Sequence, residues 1–235
     1  MTPPQPTQHT TTNATICRRK ISGQQNVPDT TPPTVPVHEP TFLPTRETPK
    51  LRATWLGHAC YYVEFPSGLR VLFDPVFEDC CAPVNLKFLK RYTPPPCEIE
   101  ELPVVDAVII SHNHYDHLSY PTIKRIQKKF PRAHFFAPLG NKVWFEKCGV
   151  PGGNVTEMDW WDTRGLRLEA EFRDTKEADT KSVTPSTEDG KASIAATIGA
   201  LPCQHITARS PFDKAKTLWA SWSVESGGAS VYFAG

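Results

Sequence analysis

Residues 111–117 read Ser-His-Asn-His-Tyr-Asp-His, and they follow directly on the apolar run Val104-Val105-Asp106-Ala107-Val108-Ile109-Ile110. A run of that length and composition reads as a strand buried on both faces, so the histidines fall where the chain leaves a sheet. Extended geometry puts alternate side chains on one side, so His112 and His114 can share one cation. Asp116 and His117 follow as the chain bends, within reach of a second cation nearby. Imidazole mixed with carboxylate suits a borderline divalent ion such as zinc.

The rest of the composition narrows the setting. The chain has 235 residues and a formal net charge of +1, with 39% hydrophobic and 22% charged residues. That length can bury one substantial core. Near-neutral charge argues against nucleic acid as a partner, since phosphate binding needs a basic surplus. Seven cysteines are an odd number, Cys80 and Cys81 are adjacent, and no Cys-x-x-Cys occurs. Reduced thiols in an intracellular protein are the expectation. No apolar stretch has the length of a membrane span. Arg18-Arg19-Lys20 is a weak sign of an organelle address.

Residues 1–50 are rich in Pro, Thr and Gln and poor in large apolar groups, which predicts a disordered tail. Short strands are predicted at 51–56, 60–65 and 69–73, with turns at Gly57 and Pro66-Ser67-Gly68. A loop follows to about residue 103. Next come the strand before the histidines, a helix at 121–130, a strand at 134–138 and a helix at 141–148. Strand-like character returns at 166–168, 217–219 and 230–233. The polar stretch at about 173–192 reads as an insertion. Strands in series with few helices suggest α/β layers built largely from antiparallel hairpins.

His205, in Pro202-Cys203-Gln204-His205, is placed just after a strand and reads either as the further imidazole that a zinc site needs or as a hydrogen-bonded core histidine, the cluster at 111–117 favouring the first. Asp74, at the end of a predicted strand, either orients a ligating imidazole or caps the turn before Pro75. His58 lies in a tight turn between strands and reads as structural.

Further motifs accompany these residues. Trp55-Leu56-Gly57-His58-Ala59, Phe73-Asp74-Pro75-Val76-Phe77, Glu101-Leu102-Pro103 and Ser111 to Leu118 are four of them. Pro138-Leu139-Gly140, Asp159-Trp160-Trp161 and Leu218-Trp219 complete the set. Together they resemble the N-acylphosphatidylethanolamine-hydrolysing phospholipase D family of the metallo-β-lactamase superfamily, over about residues 51–235.

The resemblance implies an α/β fold, an αββα sandwich with two zinc ions at one edge. By matching position, His112, His114 and His205 hold the first zinc; Asp116 and His117 hold the second, with Asp116 also assigned to catalysis. Tyr115 contacts the phospholipid or is a packed aromatic beneath the loop. The implied reaction is phosphodiester hydrolysis to phosphatidic acid and an N-acylethanolamine, with peripheral membrane contact. Alternatives are a soluble phosphodiester or lactone substrate, or a non-catalytic zinc-binding remnant.

In the family an Asp-Thr-Gly-Tyr motif, with a metal-bridging aspartate, and a later histidine follow the point matching Gly235. The expectation is therefore of a domain with its C-terminal part missing, incomplete or inactive as a two-metal hydrolase and poorly soluble or molten in isolation.

Overall fold

Alternation along three central strands decides how the layers form. In the computed structural model, which describes residues 36–81, 90–91, 93–169 and 193–235, β1 (Arg52–Trp55), β2 (Tyr61–Glu64) and β3 (Arg70–Phe73) pair antiparallel. β4 (Ala107–Ile109), β5 (His134–Pro138) and β6 (Val155–Met158) continue the same sheet in parallel, in the order β1-β2-β3-β4-β5-β6. Val71, Phe73, Ala107, Ile109 and Phe136 point into one core; Leu72, Val108, Phe135 and Ala137 point into the other. Period-two packing with both faces buried is why these strands read as continuous apolar runs.

Each face has its own cover. α1 (Tyr120–Lys129) and α2 (Lys142–Lys147) place Ile123, Ile126 and Phe145 against the Leu72 and Val108 face. The opposite face meets a second, antiparallel sheet of β7 (Thr163–Glu169), β8 (Ser193–Leu201), β9 (Ser221–Ser226) and β10 (Ala229–Phe233). Ile198, Trp222 and Val224 fill the space between the sheets. Trp222 is fully buried, and its indole N–H donates to the Ile110 carbonyl at 3.0 Å. The described residues thus form helix, sheet and sheet layers of an α/β sandwich.

Ser119 caps α1, accepting from Thr122 N at 3.4 Å, and Pro121 sits in the first turn. This is the expected use of Pro where no amide donor is needed. The Glu78 carboxylate accepts hydrogen bonds from the hydroxyls of Ser119 and Thr122, tying the loop after β3 to the start of α1.

The expected antiparallel pairing holds for five of the eight described strand pairs, and β3 to β6 depart from it by pairing in parallel. Two expectations need correction. Residues 217–219 are not a strand. Leu218 N instead donates to Leu139 O, and Thr217 O accepts from the Thr207 hydroxyl, so loop contacts override local strand propensity. The strand begins at Ser221. β6 was missed because its burial does not alternate.

Part of the segment read as a tail lies on the domain. Phe42 packs edge-on against Tyr62 with ring centroids 5.4 Å apart. Arg46 grips Asp106 through two nitrogens at 2.6 and 2.7 Å. The expected insertion at 173–192 lies outside the described residues.

Candidate metal centre

The site lies at the carboxyl ends of the parallel strands, where open α/β sheets leave a crevice. Asp74 follows β3 with a φ of 38°, a left-handed conformation that aspartate tolerates better than most residues. The 111–117 loop follows β4. His117 N and Leu118 N both donate to His114 O, at 3.1 and 2.9 Å, folding the loop into a tight turn. His205 comes from the loop after β8. The second sheet is joined to the histidine loop by Ala220 N donating to Ser111 O at 2.9 Å.

Asp74 organises the interior of the site. Its carboxylate is buried and accepts from Ser111 N at 2.7 Å, from the Ser111 hydroxyl at 2.5 Å and from His117 Nδ1 at 2.7 Å. A carboxylate only accepts, so the Ser111 proton is committed to Asp74. At the other side of that hydroxyl, His112 Nδ1 lies 2.8 Å away and must therefore be the donor. The neutral His112 ring then carries its lone pair on Nε2. By the same logic His117 carries a proton on Nδ1, leaving Nε2 toward Asp116, whose Oδ2 is 3.8 Å off. Of the two readings of Asp74, orientation of an imidazole is the one its contacts describe.

His112 Nε2 has one lone pair and two close neighbours, His114 Nδ1 at 2.8 Å and His205 Nε2 at 2.9 Å. One lone pair cannot serve two in-line donors well. A cation placed among the three nitrogens satisfies all of them at once. Donors around a tetrahedral zinc at about 2.0–2.1 Å sit about 3.3–3.4 Å apart, so the two pairs that involve His112 need to open only by about half an ångström. These three residues fit a metal. Ligand atoms of a second set, His58, Asp116 and His117, lie within 4.8 Å of one another, and Asp74, His112 and His117 form a third group on the same scale.

Electrostatics agrees with the donor assignment. Burial, followed by the facing His117, His205 and His114, pushes His112 from its ordinary value down to about 2. Burial also lowers His114 and His205. Burial works against an ionised Asp116, but its bond from His58 and the nearby His117 hold it well below the usual carboxylate range. Burial likewise opposes a charged His117, yet the bond to Asp74 leaves it raised.

These shifts give a stability prediction for the metal-free chain. The unfolded chain takes up protons on histidine below about pH 6.5. Folded His112 refuses one until about pH 2. Folded stability must then fall as pH drops below 6.5, by up to about 1.4 kcal/mol per unit for that one group. His114 and His205 act in the same direction. His117 acts oppositely, its contribution being present at low pH and lost as pH rises through its folded value. His134, also lowered by burial, joins the first set, so with four imidazoles against one, urea midpoints measured in a chelator should decrease from pH 7.5 to pH 5.5.

Tyr115, the expected substrate contact, has one ring face against the Arg209 guanidinium at 4.1 Å. Arg209 was not foreseen from sequence. It also stacks on Trp144 at 5.1 Å and donates to the carbonyls of Asn113 and Leu118 at 2.8 and 2.9 Å. It therefore clamps both ends of the histidine loop from four residues beyond His205. Its signal in sequence was only an arginine near a candidate ligand. Replacing it, as Arg209→Met, should lower stability by about 1.5–3 kcal/mol, the worth of a charged hydrogen bond, in a denaturant titration.

His58 also escaped the sequence reading, which treated it as part of a turn. Its Nε2 lies 3.0 Å from Asp116 Oδ2. Trp160 and Trp219 steady the His205 loop, Trp160 Nε1 donating to Trp219 O at 2.6 Å and Trp219 Nε1 to Cys203 O at 2.9 Å. No helix among the described residues is long and apolar enough to cross a membrane.

Comparison with known proteins places this arrangement. A chain from Caenorhabditis elegans named N-acyl-phosphatidylethanolamine-hydrolyzing phospholipase D 1 is 35% identical over 205 residues, 86% of this chain and 51% of its own length. An uncharacterized protein of Mycobacterium tuberculosis is 32% identical over 79% of this chain and 42% of its own. The Saccharomyces cerevisiae protein named N-acyl-phosphatidylethanolamine-hydrolyzing phospholipase D, mitochondrial, is 30% identical over 84% of this chain and 36% of its own. The chain thus spans about half or less of the length of these relatives. A family model described as a beta-lactamase superfamily domain matches residues 69–235, and the chain belongs to that superfamily.

Proposed function

We propose that this chain carries the metal centre of a zinc-dependent phosphodiester hydrolase acting on N-acylphosphatidylethanolamine, releasing phosphatidic acid and an N-acylethanolamine. The observation that carries the metal reading is the meeting of two further imidazole nitrogens, His114 Nδ1 and His205 Nε2, within 2.9 Å of His112 Nε2, whose lone pair is fixed by Ser111 and Asp74. The names of the worm and yeast relatives support the substrate class.

In this reading His112, His114 and His205 hold one zinc, and Asp116 and His117 contribute to the second. Bound zinc supplies charge stabilisation for the phosphoryl oxygens and acidifies water at neutral pH. The residues have separate tasks around it. Asp74 keeps the His117 proton on Nδ1 and the ring in register. Asp116, held ionised by His58 and His117, offers its carboxylate to the second zinc. Tyr115 offers its remaining ring face to the lipid.

A lipid substrate calls for contact with a bilayer surface. Phe212 at 85%, Val143 at 62%, Tyr120 at 44% and Leu139 at 41% are exposed apolar groups on the elements around the histidine loop. They support peripheral docking.

The test compares zinc-loaded protein on vesicles of N-acylphosphatidylethanolamine, on a soluble aryl phosphodiester and on a lactone. Release of N-acylethanolamine supports the proposal. Turnover of a soluble substrate alone reassigns the substrate class, and metal uptake without any turnover contradicts the hydrolase reading.

A further inference from the structure

His58 occupies a turn whose shape is held from several sides. Gly57 and His58 both have positive φ, 92° and 52°. The second is uncommon for a residue with a side chain and persists only where the surroundings enforce it. Cys60 N donates to Gly57 O at 3.0 Å, closing the turn, and the Trp55 indole donates to His58 O at 2.8 Å. A Cβ at position 57 would lie 2.5 Å from Arg91 Nη2, so the guanidinium packs directly against this glycine. A mere connection between two strands does not need so many restraints. They make sense if the direction of the His58 side chain matters.

That side chain points at the second half of the metal centre. Its Nε2 is 3.0 Å from Asp116 Oδ2, and its ring centroid is 5.6 Å from that of His117. Ligand atoms of His58, Asp116 and His117 all lie within 4.8 Å of one another, the limit that the His112, His114 and His205 set also meets. Two imidazoles and one carboxylate at this spacing are a donor set for a borderline divalent cation.

We propose that His58 is a further protein donor at the second metal position, joining Asp116 and His117. The inference rests on the metal reading above and extends it to a residue outside the histidine loop. Without metal, His58 Nε2–H donates to Asp116. As a ligand, the neutral ring carries its proton on Nδ1 and presents the Nε2 lone pair. The second metal then links the β1–β2 turn to the loop after β4.

The alternative is that His58 only holds Asp116 by a hydrogen bond, and glutamine separates the two roles because it keeps an N–H donor of similar reach. Zinc is titrated into the full chain against a chromophoric chelator, and cobalt(II) absorption is followed in parallel, for wild type, His58→Ala and His58→Gln. Wild type is expected to take up two equivalents. Both variants should keep the first at wild-type affinity and bind the second at least about 10-fold more weakly, with altered cobalt bands for the second equivalent only.

An unchanged second equivalent in His58→Ala overturns the proposal. So does its restoration in His58→Gln, which would leave a hydrogen-bonding role. Uptake of a single equivalent by wild type overturns it too. No uptake at all by wild type overturns the metal reading itself, which keeps the two failures distinct. Should His58→Ala fold poorly, His58→Gln alone decides: a weakened second equivalent supports the assignment and a normal one refutes it.

Discussion

Zinc affinity of a His112→Ala/His114→Ala double variant should fall by at least about 10³-fold. Loss of a single outer partner of a metal ligand already costs about 10- to 100-fold. Here two of three imidazoles disappear from a set meeting at 2.8 and 2.9 Å around His112 Nε2. His205 then has no partner nitrogen with which to share an ion. The double variant should still fold, because His114 is only half-buried and His205 is exposed, so most of what is lost is contact among the three rings themselves. Competition against a chelator, followed by elemental analysis after dialysis, measures the effect. Undiminished occupancy would place the metal elsewhere.

Asp74→Ala should produce the second large effect, on stability and on metal together. Its buried carboxylate satisfies Ser111 N, the Ser111 hydroxyl and His117 Nδ1, all within 2.7 Å. Removing it strands donors that water reaches poorly, each at a cost of about 1–3 kcal/mol. A total loss of about 3–5 kcal/mol is expected from denaturant unfolding of the metal-free protein. The metal effect follows separately: His112 and His117 lose the contacts that fix their tautomers, so zinc affinity should fall about 10- to 100-fold. Asp74→Asn should retain part of the stability but not the affinity, since an amide donates where the carboxylate accepts. A variant with unchanged zinc affinity would reduce Asp74 to capping the turn before Pro75.

These two variants also show which parts of the molecule were readable from residues alone. The strand before the histidines was legible because both its faces are buried, giving an unbroken apolar run that ends at the site. The pairing of His112 with His114 was legible from spacing. His205 was reached only by asking what would complete a ligand set. The structure brings it to 2.9 Å from His112, across 93 residues of chain.

His58 and Arg209 were not legible, for a common reason. Each acts through a contact made by folding: Asp116 in one case, two backbone carbonyls and two aromatic faces in the other. Nothing in local sequence marks such a contact. The strand boundaries failed for a related reason. At 217–219 strand-forming residues are held by the loops carrying Leu139 and Thr207, and tertiary contacts outweigh their local preference. The parallel order of β3 to β6 likewise depends on which strands meet, a property of the whole sheet.

The account stands or falls on nitrogen-rich coordination at the junction of the histidine loop and the loop of His205. X-ray absorption of the zinc-loaded chain tests this most directly. A shell of nitrogen and oxygen at about 2.0–2.1 Å, with multiple scattering from imidazole rings, is the predicted result. A sulfur shell near 2.3 Å would move the metal to the cysteines and contradict the assignment of His112, His114 and His205.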